Sequence, residues 1–108
     1  MLILFDHVTP RGIGRFLLGH TITTAKERGW STLTNGDLLA SAERAGFDIL
    51  LTADKNMRYQ QNFAGRHIAL VVLSTPQWPR VRFHVDKISA AVNAATPGSY
   101  TEVEIPTR

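Results

Sequence analysis

Three aspartates, Asp6, Asp37 and Asp54, lie 31 and 17 residues apart in the chain, yet their local contexts place all three at one edge of a folded sheet. Carboxylates brought together repel one another unless a cation sits among them, so their convergence implies a hard divalent metal, Mg²⁺ or Mn²⁺. Such an ion keeps several waters, can activate one as a nucleophile, and stabilises charge on a phosphodiester. Asp86 is the candidate for a fourth acid. Other chemistries fall away. There is no cysteine, which excludes disulfides, thiolate metal sites and thiol nucleophiles. The histidines at positions 7, 20, 67 and 84 contain no i, i+4 pair for a helical zinc site. GRFLLG does not fit the dinucleotide-binding glycine pattern, and there is no phosphate-binding G-x-x-x-x-G-K-[ST] loop. Asp6-His7-Val8-Thr9 lacks the second aspartate of an aspartyl-phosphate phosphohydrolase.

The elements that must position these acids are legible as alternating apolar runs and helical stripes. Leu2–Phe5 is a short unbroken apolar run, as expected of a strand buried on both faces of a parallel sheet. Pro10 suits a helix start, with Ile13, Phe16 and Leu17 at helical spacing and Gly19 closing it. His20–Ala25 alternates weakly and predicts a short strand. A polar loop from Gly29 to Gly36 leads to a helical stripe of Leu38, Leu39, Ala42 and Ala45, ended by Gly46. Ile49–Thr52 and His67–Leu73 predict two more buried strands, with a polar, partly helical segment between them. Pro76 and Pro79 break the chain. Val85, Ile88, Ala91 and Val92 then predict a last helix, and Tyr100–Ile105 a thin final strand.

Strands alternating with helices predict an α/β fold, three layers with a mainly parallel central sheet, in a single domain over residues 1–108. Right-handed crossovers bring all strand carboxyl ends to one edge, where ligands of such sheets bind. Asp6 follows the first strand, Asp54 follows Ile49–Thr52, and Asp37 opens the helix descending from that edge. Asp86 lies in the first turn of the last helix. Glu43 is six residues beyond Asp37, about 9 Å down the helix, and would serve only as a supporting group. Asp48 begins a strand and belongs at the opposite edge. Each acid also has an ordinary explanation. Thr34 and Asp37 have capping-box spacing, Asp6 and Asp54 suit turns, and Asp86 suits a helix first turn.

The run from LILFDHVTP through NGDLLASAERAGFDILLTADKNM to IALVVL resembles the PIN-like domain group, short α/β proteins related to metal-dependent ribonucleases and to toxins of toxin–antitoxin pairs. In that group an Asp ends the first strand, matching Asp6. An acid opens a later helix ahead of a buried Leu and Ala, matching Asp37, Leu39 and Ala42. A Thr-x-Asp follows the next strand, matching Thr52 and Asp54. The resemblance implies that these aspartates hold metal and that the Thr52 hydroxyl orients the site. Two positions depart from the pattern: His7 stands where short members often have Glu, and Asn56 where many relatives have a further acid. Three firm acids imply weaker metal affinity than four.

Basic residues flank the acids. Lys55 and Arg58 follow Asp54, and Arg11 and Arg15 follow the Asp6 turn, where they could hold phosphates on either side of a scissile bond. Arg80 and Arg82 come off the His67–Leu73 strand at the same edge. Trp78 and Tyr59 are candidate base-stacking residues, each with a packing role as the alternative; Trp30 reads as packing.

Twelve basic against nine acidic residues give a net charge of +3 and an isoelectric point near 9.8. With Asp6, Asp37 and Asp54 set aside for metal, the same 12 face 6, an acidic notch in a basic face. At 44% hydrophobic residues the chain is no disordered or fibrous protein. MLILFD has no basic region of a secretory leader, and no apolar run approaches the roughly 18–20 residues of a membrane span. The expectation is a cytoplasmic, Mg²⁺- or Mn²⁺-dependent ribonuclease acting on RNA through Asp6, Asp37 and Asp54. Lys55, Arg58, Arg11 and Thr52 would serve the substrate, and a small antitoxin or a second copy would be the protein partner. The alternative is a PIN-like module that binds a protein or RNA without cleaving it.

Overall fold

A computed structural model describes residues 1–59 and 66–106. Five strands, β1 (Leu2–Phe5), β2 (Thr21–Thr24), β3 (Ile49–Thr52), β4 (Ala69–Leu73) and β5 (Tyr100–Val103), form one sheet in the order β2-β1-β3-β4-β5. Every neighbouring pair is parallel. The helices are α1 (Asn35–Arg44), a single turn α2 (Trp78–Val81) and α3 (Val85–Ala94), with 3₁₀ segments over Arg11–Phe16 and Lys55–Tyr59. The α/β architecture expected from the sequence is therefore present. The weak His20–Ala25 alternation corresponds to β2, and β5 ends two residues before Ile105.

The apolar runs explain the layering. Successive side chains of a strand point to opposite faces. Ile3, Phe5, Ile49, Leu51, Ala69, Val71 and Leu73 pack with Ile13, Leu17, Val81, Ile88 and Val92 on one face. Leu4, Leu50, Leu70 and Val72 pack with Leu38, Leu39, Ala42 and Met57 on the other. A strand buried on both faces cannot alternate with polar residues, which is why these runs are continuous.

The first crossover departs from the expected helix. Arg11–Phe16 is 3₁₀, and Phe16, placed inside by helical spacing, is 46% exposed. Two glycines weaken helix propensity there. Gly12 also lies directly against the Trp78 ring: a Cβ at that position would stand 2.8 Å from Trp78 Cζ2. Trp78 is thus a packing residue that holds this segment on the sheet.

The order β2-β1-β3-β4-β5 reverses direction between β1 and β3. In open parallel sheets, ligands bind in the crevice outside the carboxyl ends at that reversal. The two strands there are the ones that end at Asp6 and at Thr52-Ala53-Asp54.

Gly98 closes the turn into β5 with φ of 75°, and a Cβ there would lie 2.6 Å from the Arg66 carbonyl oxygen. Gly46 has φ of 88° but open space around it. Gly46→Ala should cost only the left-handed backbone penalty, about 1–2 kcal/mol, whereas Gly98→Ala should cost clearly more. Denaturant midpoints of the two variants compare them directly.

Candidate functional site

Asp6 is the centre of the carboxyl edge. It is 4% exposed, and both carboxylate oxygens are engaged by hydroxyls. Thr52 Oγ1 donates to Oδ2, and Thr9 Oγ1 lies 2.5 Å from Oδ1. The Thr52 hydroxyl also accepts from the backbone N–H of Asp54 at 3.0 Å. One fully buried threonine at the end of β3 therefore couples the acid after β1 to the acid after β3. The hydroxyl hydrogen bond expected of Thr52 is therefore present, and it is made to Asp6. Thr52 has no exposed surface, although the sequence also made it a candidate substrate contact.

Thr9 has no counterpart in the sequence reading. Its Oγ1 lies within reach of Asp6 Oδ1 and, at 2.8 Å, of the Leu51 carbonyl oxygen. One hydroxyl proton cannot serve both. When Asp6 is protonated on Oδ1, it donates to Thr9, and Thr9 donates to Leu51, so every group is satisfied. When Asp6 is ionised, Thr9 turns to the carboxylate. Burial pushes the Asp6 carboxyl above its ordinary range, opposed by the Thr52 and Thr9 hydrogen bonds and by His7, and reinforced by the charge of Asp54.

Asp54 is half-buried. Its Oδ2 accepts from Asn35 Nδ2 at 3.0 Å, and its Oδ1 from the Asn56 backbone N–H at 2.9 Å. Asn35 is the first residue of α1, so the helix start is fastened to the Asp54 turn. Asn56 contributes here through its backbone. Asn35 also escaped the sequence reading; an Asn-Gly pair opening a helix reads as turn chemistry, and nothing local reveals its distant partner.

The expected convergence of three acids is not what the structure shows. Asp37 stands exposed in the first turn of α1 and accepts from Thr34 Oγ1 at 3.1 Å. The Thr34–Asp37 spacing is realised as this side-chain pair, without the cap bond to a backbone N–H. Asp86 is exposed in the first turn of α3, whose buried face packs on the side of the sheet away from α1. Among the described residues, no three His, Asp or Glu side chains form a group able to hold a metal ion. The assembled set is instead Asp6 and Asp54, with the Thr52 hydroxyl bonded to the carboxylate of the first and to the backbone N–H of the second.

Glu43 is likewise corrected. Its carboxylate accepts the backbone N–H of His67 at 2.5 Å and pairs with Arg66 at 3.1 Å, both just before β4. The His67 N–H first, then Ile68 and Arg66, hold it below the usual glutamate range. It clasps the end of α1 to the amino edge, far from Asp6. Asp48 accepts from the Leu2 N–H at 2.8 Å, at the amino edge as expected.

Of the basic residues, Arg11 lines a cavity of about 120 Å³ with Asp6, His7, Thr9, Thr24 and Lys26. Lys55 lines a second, of about 100 Å³, with Ser74, Glu102 and Glu104 beyond β4 and β5. The side chain of Arg58 lies outside the described residues, as does that of Tyr59. Arg80 donates to the Ile105 carbonyl and Arg82 stacks on Phe83, so each is occupied locally. Trp30 packs edge-on to Phe47 beneath Arg28.

Comparison with protein-family models, with curated proteins and with solved structures finds no match to this chain. Its function rests on its own geometry.

Because the folded chain holds the Asp6 proton where an unfolded chain has released it, this carboxyl favours the fold at low pH. That contribution is lost as pH rises from the ordinary aspartate range through the raised value. An amide suits the same network: Asn Nδ2 donates to Thr9, which donates to Leu51, while Thr52 donates to Asn Oδ1. Asp6→Asn should therefore raise the thermal midpoint at pH 7 and lose that advantage toward pH 3. Each kcal/mol is worth roughly 4–8 °C in a domain of this size.

Proposed function

We propose that this chain is a PIN-like, Mg²⁺- or Mn²⁺-dependent ribonuclease, with Asp6 and Asp54 as its central acids. The observation that carries the reading is the Asp6–Thr52–Asp54 linkage at the β1/β3 reversal. It couples two acids at the place where open parallel sheets bind ligands. Like charges held together in a partly buried site favour a cation between them.

The donor set is all oxygen and suits a hard divalent ion. Mg²⁺ commonly takes only one or two protein carboxylates and completes its shell with water and substrate phosphate, so two coupled acids suffice. Asp6 and Asp54 would hold the ion. When bound, the ion would supply Lewis acidity and an activated water for phosphodiester hydrolysis. The chain's own residues do the rest. Thr52 and Thr9 fix the Asp6 carboxylate, Asn35 and the Asn56 N–H fix that of Asp54, and Arg11 offers a cation to substrate phosphate. An RNA substrate follows from the PIN-like resemblance, as does a small antitoxin partner.

One observation favours the non-catalytic alternative: no third acid joins the pair among the described residues. A cleavage assay separates the two readings. Purified protein with single-stranded RNA and Mg²⁺ or Mn²⁺ should cleave, and Asp6→Asn and Asp54→Asn should each lose activity by more than the roughly 10–100-fold expected of the supporting change Thr52→Val. Equal cleavage by wild type and both aspartate variants would assign the activity to a contaminant, and RNA binding without cleavage would select the binding module.

A further inference from the structure

We propose that the cavity between the carboxyl ends of β1 and β2 is a phosphate subsite, formed by Arg11 and Lys26 with His7. It would fix the side of Asp6 along which the RNA backbone runs. The inference rests on the ribonuclease reading and names the substrate path for it.

The cavity is small. At about 120 Å³ it lies well under the roughly 300–1,000 Å³ of pockets that enclose a whole small molecule. That size suits one anionic group, with the rest of the ligand outside. It is lined by Arg11, Lys26 and His7 together with Thr9, Thr24 and Asp6.

Lys26 is placed there by a rigid turn. The Ala25 N–H donates to the Phe5 carbonyl at 2.8 Å, and the Trp30 N–H returns to the Ala25 carbonyl at 2.8 Å. Thr24 donates from both its N–H and its hydroxyl to Glu27 Oε1 at 3.0 Å, and the Glu27 N–H donates back to Thr24 Oγ1 at 3.1 Å. The Glu27 carboxylate is thus committed to Thr24, although its charge still reaches Arg11; the carboxylate of Asp6, also in the lining, is engaged by Thr52 and Thr9. Arg11 and Lys26 are themselves exposed at the head of this turn and of the 3₁₀ segment.

The other end of the same edge has the opposite character. Beyond β4 and β5, Lys55 shares its cavity with Glu102 and Glu104, two carboxylates that would compete with phosphate for it. A polyanion crossing the edge is therefore drawn over β1 and β2 and turned away from β5. This asymmetry gives the strand a defined side on which to leave Asp6.

The test measures binding of a short fluorescent single-stranded RNA to the intact protein in EDTA, by anisotropy, across about 50–200 mM salt. Each lost phosphate contact lowers the salt slope by about 0.7 for a single strand. Lys26→Ala should lower the slope by about 0.7, and Arg11→Ala with Lys26→Ala by about 1.4, with affinity down roughly tenfold or more. Arg44→Ala removes one charge from the far end of α1 and should change neither. Added affinity for a 5′-phosphorylated RNA that depends on Lys26 would assign the subsite to a terminal phosphate, and no such gain would assign it to an internal one. Wild-type slope and affinity in the double variant, or an equal loss in Arg44→Ala, would overturn the proposal while leaving any observed cleavage intact. RNA binding that depends on Lys26 without cleavage would instead retain the subsite and overturn the ribonuclease reading.

Discussion

The structure turns on a carboxyl group enclosed by two threonine hydroxyls. Asp6 follows β1, and Thr52 ends its neighbour β3, the central strand of the sheet. Their hydrogen bond can form only with the two strands in register. The same Thr52 oxygen receives the Asp54 N–H, so the path of the chain after β3 is set by the group that holds the acid after β1. Thr9 closes the other side and reaches the Leu51 carbonyl, tying the Asp6 turn to β3 a second time. A buried acid would ordinarily weaken a fold of this size. Here its desolvation is offset in part by the two hydroxyl contacts, and the remainder raises the carboxyl above its ordinary range.

Much of this was legible because it is local. A four-residue apolar run followed by Asp states both that the strand is buried on two faces and that the acid lies at its carboxyl end. The Leu38, Leu39 and Ala42 stripe states which face of α1 packs, and all three are buried. What could not be read were relations between distant segments. Nothing near Thr9 reveals Asp6 as its partner, because an ordinary turn threonine has the same neighbours. Asn35 is a turn former until Asp54 is placed beside it. Placing an acid at the correct edge was also weaker information than placing it in the correct group: Asp6, Asp37 and Asp86 occupy comparable positions along their elements, yet Asp37 and Asp86 head helices on opposite faces of the sheet.

The basic residues show the same limit from the other side. Arg80, Arg82 and Trp78 share a segment that suggested nucleic-acid contact, and each is consumed by packing or by a local partner. Lys26, which no motif singled out, is the residue that a locked turn carries to the cavity beside Asp6. Charge at a surface acquires meaning from the rigidity of the backbone that presents it. In this chain that rigidity comes from the Thr24–Glu27 exchange and not from a helix.

The register of β1 has a consequence for how the molecule is made. Leu2 to Phe5 must pair with Thr21 to Thr24 on one side, and Ile3 to Phe5 with Ile49 to Leu51 on the other, across separations of 19 and 46 residues. Closing loops of that length precedes any reward from the contacts they make, and parallel pairings of this kind are slow to form. β1 is thus a late strand to be completed, since β2 and β3 both follow it in the chain and must be synthesised before it is enclosed. The partners that enclose Asp6 in the folded chain include Thr52 and the Leu51 carbonyl that Thr9 reaches, both supplied by β3. The same event that joins β3 to β1 brings the Thr52 hydroxyl to the Asp6 carboxylate and sets the Asp54 turn beside it.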